Sequence, residues 1–98
     1  METVWIVMGS TGEYSDRQEW PVIAFTSEAG ARERIAALDV RMQEMPQEWR
    51  ENRWEIETDK KIKAHMGTLD PGFQTDYAGT SYFFYKVEVA PAAMSASQ

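Results

Sequence analysis

Apolar residues along the chain fall into three short runs and one helical stripe. The first run, residues 3–8 (TVWIVM), is made of strand formers. Val4, Ile6 and Met8 alternate with Trp5 and Val7, so both sides of this strand are apolar and it reads as central in a sheet. The second run, residues 20–26 (WPVIAFT), carries Pro21, which removes a backbone donor and belongs at a strand start or on an edge. These two runs predict an antiparallel hairpin. The third, residues 80–90 (TSYFFYKVEVA), is the strongest strand in the chain. Phe83, Tyr85, Val87 and Val89 share one side and are expected to form its core face. Tyr82, Phe84, Lys86 and Glu88 share the other, which turns polar toward the end. Pro91 stops the run.

Between the second and third runs the period changes. Thr26 or Ser27 can cap a helix, and Glu28 suits its positive end. Ala31, Ile35, Leu38, Met42 and Met45 then recur every three or four residues, a stripe on one helix face. Pro46 ends or kinks that helix near Glu44. Residues 47–66 favour a second helix, closed by Gly67 and Pro71, although Trp54, Ile56 and Thr58 alternate like a short strand over 53–58. The pattern predicts an α+β fold: a three-stranded antiparallel sheet in the order 2-1-3 with one or two helices packed on one face. Residues 1–91 are expected to form a single domain and 92–98 a flexible C-terminal tail.

Composition narrows the function more by exclusion than by assignment. The 98 residues include no cysteine, which excludes thiol nucleophiles, disulfide scaffolds and cysteine metal sites. No apolar run approaches the roughly 18 residues of a membrane span, and no secretory leader is legible at the N-terminus. A soluble, cytoplasmic protein is expected, with no membrane partner. The net charge is −6 and uneven: residues 1–30 hold five acids and one base, residues 31–69 eight of each. An acidic chain lacks the field that draws in nucleic acid, so no direct nucleic-acid partner is expected and a basic protein surface is favoured.

The chemically distinctive residues sit in two polar segments, TGEYSDRQEW (residues 11–20) and DPGFQTDYAGTSY (residues 70–82). About ten residues is long for a hairpin connection, where two to five is usual. With the strand order 2-1-3, both segments leave the same end of the sheet, and Asp76 and Tyr77 would lie beside Glu13–Arg17. The candidate binding residues are therefore Glu13, Tyr14, Asp16, Arg17, Trp20, Gln74, Asp76, Tyr77, Thr80 and Tyr82, with Asp70 nearby. Clustered carboxylates can hold a hard cation or do acid–base work. No calcium-loop pattern accompanies them, and a chain this short has little room for a deep cleft. Arg17 reads as a loop ion pair with Glu19 or Asp76, or else as an anchor for phosphate or carboxylate. His65, the only histidine, reads as a helix-end surface residue. Trp5, Trp20, Tyr82 and Phe84 are candidates to line the sheet face away from the helices, a protein-binding or dimerising face. The plainer alternative is that a helix or the tail covers them. No catalytic residue, metal site or cofactor is expected.

The same two segments carry a resemblance. Thr11–Arg17, Trp20, Asp70, Pro71, Gln74, Asp76, Tyr77, Gly79, Thr80 and Tyr82 resemble the TGEYSDR and DPxxQxDYxGTxY segments of a family of small tailed-bacteriophage and prophage proteins. The likeness covers roughly a third of the chain and leaves out the helical middle. The family carries no activity to transfer. The resemblance implies a phage-encoded accessory protein acting in the bacterial host cytoplasm. By analogy with other small acidic phage proteins, it would be a non-enzymatic inhibitor of a host defence or other host protein, similar to anti-CRISPR proteins that occupy basic nucleic-acid channels. Alternatives are a small-ligand (nucleotide signal) binding or sponge protein using Arg17, Tyr14 and Tyr77, and a structural phage accessory module. A second copy of the chain is a further candidate partner.

Overall fold

The structure, a computed structural model, describes residues 2–12, 17–74 and 79–90. Three strands, β1 (Glu2–Thr11), β2 (Gln18–Phe25) and β3 (Thr80–Val89), form one antiparallel sheet in the order β2-β1-β3. The two-sided strand is central and the proline strand is at an edge, as their sequences require. Three helices lie between β2 and β3 in the chain: α1 (Glu28–Gln43), α2 (Gln47–Glu51) and α3 (Ile56–Met66). α1 packs across all three strands, α3 packs on α1, and α2 packs on α3. The fold is α+β.

The predicted limits of α1 hold for the predicted reasons. The Ser27 hydroxyl accepts from the Gly30 amide at 3.1 Å, satisfying one of the free donors of the first turn. The helix stops before Pro46. Its last carbonyls are not left bare: Arg50 donates to the Met42 oxygen at 2.6 Å, and His65 Nε2 donates to the Arg41 oxygen at 2.7 Å. His65 sits in the last turn of α3, edge-on to Trp49 with ring centroids 5.9 Å apart. It thereby ties α3 to the end of α1. All five residues of the stripe enter the core, four from α1 and Met45 from just beyond its end. Ala31, Leu38 and Met45 are buried, and Ile35 and Met42 pack against them with Ile62 and Met66 of α3 and Val7 of β1.

Residues 47–66 do not form one continuous helix. Asn52 closes α2 by returning both its backbone and its side-chain nitrogen to the Glu48 carbonyl, and the Glu55 amide turns back to Asn52. Trp54 and Ile56 are left 71% and 74% exposed, so no core face rewards an extended strand over 53–58. On α3 the Asp59–Lys63 pair forms at 3.2 Å and the Glu57–Lys60 pair at 3.8 Å. The expected tail over 92–98 lies outside the described residues.

β3 is the other way round from its sequence pattern. Tyr82 and Phe84 pack against the helices, and Arg32 of α1 lies 5.1 Å over the Phe84 ring. Phe83, Tyr85, Val87 and Val89 therefore point away from the helix layer, with Tyr85 45% and Val89 42% exposed. The helix layer covers only the first half of β3, so Lys86 and Glu88 stand exposed beyond it on the same side as Phe84. Trp5, Trp20, Tyr82 and Phe84, which the sequence made candidates for the open face, all belong to the covered one. A register shift in β2 contributes to this. Val7 pairs with Ile23 but Met8 pairs with Pro21, so Val22 is an extra residue opposite one step of β1. The bulge re-phases β2, and Trp20, Ile23 and Phe25 all reach the helix side.

Candidate functional site

The end of the sheet where the two polar segments emerge is built by pairing. Thr11, the last residue of β1, sits opposite Gln18 on one side and Thr80 on the other. The Thr11 hydroxyl donates to the Gly79 carbonyl at 2.6 Å. The Thr80 hydroxyl donates to the Gln74 carbonyl at 2.7 Å, so Gln74 is held to the start of β3. Gly12 and Gly79 follow and precede the paired residues with φ of 88° and 84°, a region that glycine enters without a Cβ clash. The two segments thus turn at the same level, at Gly12 and Gly79.

Behind this end lies a buried carboxylate. Asp70 is 1% exposed. Its two oxygens each stand 3.0 Å from Trp20 Nε1, and Oδ2 accepts from the Tyr82 hydroxyl at 2.6 Å. One residue from the loop after α3 therefore binds both β2 and β3. Charge-assisted hydrogen bonds of this kind are the stronger ones. The loop is fixed from several directions: Arg34 donates to the Leu69 carbonyl, the Phe73 amide donates to the Asp70 carbonyl, and Phe73 itself is buried. Burial pushes the Tyr82 hydroxyl far above its ordinary value of 10.0, and the Asp70 carboxylate, by hydrogen bond and by charge, pushes it further, with a smaller push from Asp39. Tyr82 is a donor here, not an acid in use.

The Trp20 indole reaches Asp70 by lying flat on the backbone of Gly9, its cross-strand neighbour. A Cβ at Gly9 would stand 2.4 Å from Trp20 Cε2. Trp20, Asp70 and Tyr82 all come from the two distinctive segments, and all three are spent on joining strands and loop.

Of the ten candidate binding residues, the structure describes five. Arg17 forms an exposed ion pair with Glu19 at 2.9 Å, one of the two partners that the sequence offered. Trp20 is buried and Tyr82 half-buried, both aimed at Asp70. Gln74 and Thr80 hold the second segment through the bond just given. Glu13, Tyr14, Asp16, Asp76 and Tyr77 lie outside the described residues, and so does the expected contact of Asp76 and Tyr77 with Glu13–Arg17. Asp70, which the sequence placed only nearby, is the hub; its position just before the Pro71-Gly72 turn was no signal for burial. A pocket of about 350 Å³ opens beside the joined end, lined by Ser10, Thr11, Gly12, Arg17, Gly79, Thr80 and Ser81. Its lining offers hydroxyls, glycine backbone and one guanidinium.

Among the described residues no group of three or more His, Asp or Glu side chains could hold a metal ion, and no helix is long and apolar enough to cross a membrane. No family model, no curated protein and no solved structure matches the chain.

Proposed function

We propose that this chain is a non-catalytic binding protein that docks a basic protein surface through the joined polar end of its sheet. The observation that carries this reading is the Thr11–Gly79 bond beside the Thr11–Thr80 pair, which brings the two polar segments out of the sheet at one place. Those segments contribute Glu13, Asp16, Glu19 and Asp76 against a single Arg17, itself tied to Glu19. Complementary charge speeds encounter and selects partners of opposite sign. Within these segments Trp20, Asp70 and Tyr82 serve the fold. The resemblance to small phage proteins supports a partner in the bacterial cytoplasm, a host defence or other nucleic-acid-handling protein whose basic channel the acids would occupy.

The test is capture from a bacterial lysate at low salt, with wild type against a Glu13→Gln, Asp16→Asn, Asp76→Asn variant. A partner held by wild type and released by the variant and by salt supports the reading. No partner, or equal capture by both proteins, overturns it.

The pocket beside Arg17 favours a second reading, a small anionic ligand such as a nucleotide signal. Such a ligand would displace Glu19 from Arg17 and take a hydrogen bond from Ser81, the hydroxyl protons of Thr11 and Thr80 being given to Gly79 and Gln74. A ligand that binds only the folded chain raises its melting temperature. A panel of cyclic nucleotides that leaves melting unchanged removes this alternative.

A further inference from the structure

The two edges of the sheet are not alike. The outer edge of β2 carries Pro21, which has no backbone donor, and the bulge beside it. Both features keep a further strand from adding there. β3 has neither. It pairs with β1 from Thr80 to Val89, and among the described residues no strand lies on its other side. Every second residue of β3 therefore turns its backbone amide and carbonyl outward. The second half of this edge is the more open, because the helix layer reaches only as far as Phe84. Beyond it Tyr85, Lys86, Glu88 and Val89 are exposed. Lys86 and Glu88 stand opposite Trp5 and Thr3 of β1, and neither forms an ion pair with a described residue. We propose that β3 pairs with β3 of a second copy, antiparallel about a two-fold axis at Val87, joining two sheets into one of six strands.

Charge selects both the occupant and the axis. A lysine on an edge strand ordinarily repels an incoming strand. Here Glu88 follows Lys86 on the same face, so the strand carries its own complement. An axis at Val87 sets Lys86 opposite Glu88 of the other copy, twice over, with Tyr85 opposite Val89 on the other face. Opposite charges so placed attract, and like charges repel. An axis at Lys86 or at Glu88 would oppose like charges, and one at Tyr85 would leave both without an opposite. Space favours the same axis. The two helix layers lie on one side of the joined sheet, but over the first half of each β3, at opposite ends of the paired stretch. The outer edges of the six-stranded sheet are then both β2, each guarded by Pro21 and its bulge, so the assembly closes as a dimer and does not grow. Residues 84–90 of each copy take part, roughly 24 Å of strand. Backbone hydrogen bonds and not area hold such a pair, and a contact at the low end of interface size gives a weak, reversible dimer, with Kd on the order of 100 µM.

Sedimentation equilibrium of the full chain from about 20 µM to about 1 mM tests the dimer, in roughly 0.15 M salt to screen the net charge of −6 on each copy. The expected result is a mass that rises from the chain's 11.3 kDa toward twice that value. Lys86→Glu and Glu88→Lys alter residues exposed in a single copy, so each variant keeps its circular dichroism and cooperative melting. Each alone sets like charges opposite one another and is expected to weaken association at least about tenfold. The double variant, with the two charges exchanged, is expected to associate like wild type, and a mixture of the two single variants to pair with each other. A chain that stays monomeric throughout, as when another segment occupies the edge, overturns the proposal. So does a dimer that neither single change weakens, or one that the double exchange fails to restore.

Discussion

Replacing Gly9 with alanine adds one methyl group at the point where the whole pinned end depends on contact. The new Cβ would meet Trp20 Cε2 at 2.4 Å, Cζ2 at 2.5 Å and Nε1 at 2.7 Å. Carbon pairs settle at about 3.5–4.0 Å, so the indole must retreat by ~1 Å or more. Trp20 Nε1 begins 3.0 Å from both Asp70 oxygens, and that retreat carries it beyond hydrogen-bond range. Overpacking costs ~1–3 kcal/mol, and a buried carboxylate short of a donor costs about 1–3 kcal/mol more. Alanine is the better strand residue by ~0.5–1 kcal/mol, which offsets part. The net expectation is a loss of about 1–5 kcal/mol in urea unfolding followed by far-UV circular dichroism. At this chain length that lowers the melting temperature by about 5 °C or more. The same substitution in a Trp20→Leu background should cost nothing or stabilise slightly, because the clash is gone. A single-variant loss under ~1 kcal/mol, or an equal loss in both backgrounds, refutes the reasoning.

Other expectations follow from the same contacts. Folding raises the Tyr82 pKa, so its contribution to stability is full below pH 10 and is lost as pH rises above it; Tyr82→Phe should flatten the alkaline fall of the unfolding free energy measured from pH 8 to pH 11. Leu38→Ala, at a fully buried position of α1, should cost about 2–5 kcal/mol in the same urea assay. At low protein concentration Phe84→Ala should cost at least ~1 kcal/mol more than Phe83→Ala, and the reverse order would restore the face assignment suggested by the hydrophobic pattern. Arg17→Ala removes an exposed pair and should change stability by less than ~1 kcal/mol; a larger loss would mean that Arg17 holds more than Glu19.

The parts of the fold that were legible in the sequence are those fixed by local chemistry. Ser27, the stripe from Ala31 to Met45, and Pro46 specify α1 without reference to the rest of the chain. Pro21 and the two-sided apolar pattern of β1 specify the strand order. What was not legible depends on how far one layer extends over another. Hydrophobicity ranks Phe83, Tyr85, Val87 and Val89 above Tyr82, Phe84, Lys86 and Glu88, yet the helices reach only the first half of β3. On the covered side Tyr82 and Phe84 suffice, and the polar pair falls beyond the layer. The bulge at Val22 breaks the alternation on which face assignment rests, and Pro21 beside it suits a strand start or an edge as well as a bulge, so the residue types did not single it out.

The candidate site divides in the same way. Its location followed from strand order alone, and the Thr11–Gly79 bond joins the end of β1 and the start of β3 there, while the expected contact of Asp76 and Tyr77 with Glu13–Arg17 lies outside the described residues. The role of Asp70 did not follow, because an aspartate before a Pro-Gly turn looks like ordinary loop chemistry. Only the tertiary approach of Trp20 and Tyr82, from chain positions 50 and 12 residues away, makes it a buried hub.

The central claim is that the acidic segments at this end form a binding surface for a basic protein. The most direct measurement is the salt-dependent affinity of the captured bacterial partner for wild type and for the Glu13→Gln, Asp16→Asn, Asp76→Asn variant. The account predicts that neutralising the three acids weakens binding by at least about tenfold and flattens its salt dependence, while the variant's melting temperature stays that of wild type. Equal affinity and equal salt dependence for the two proteins would contradict it.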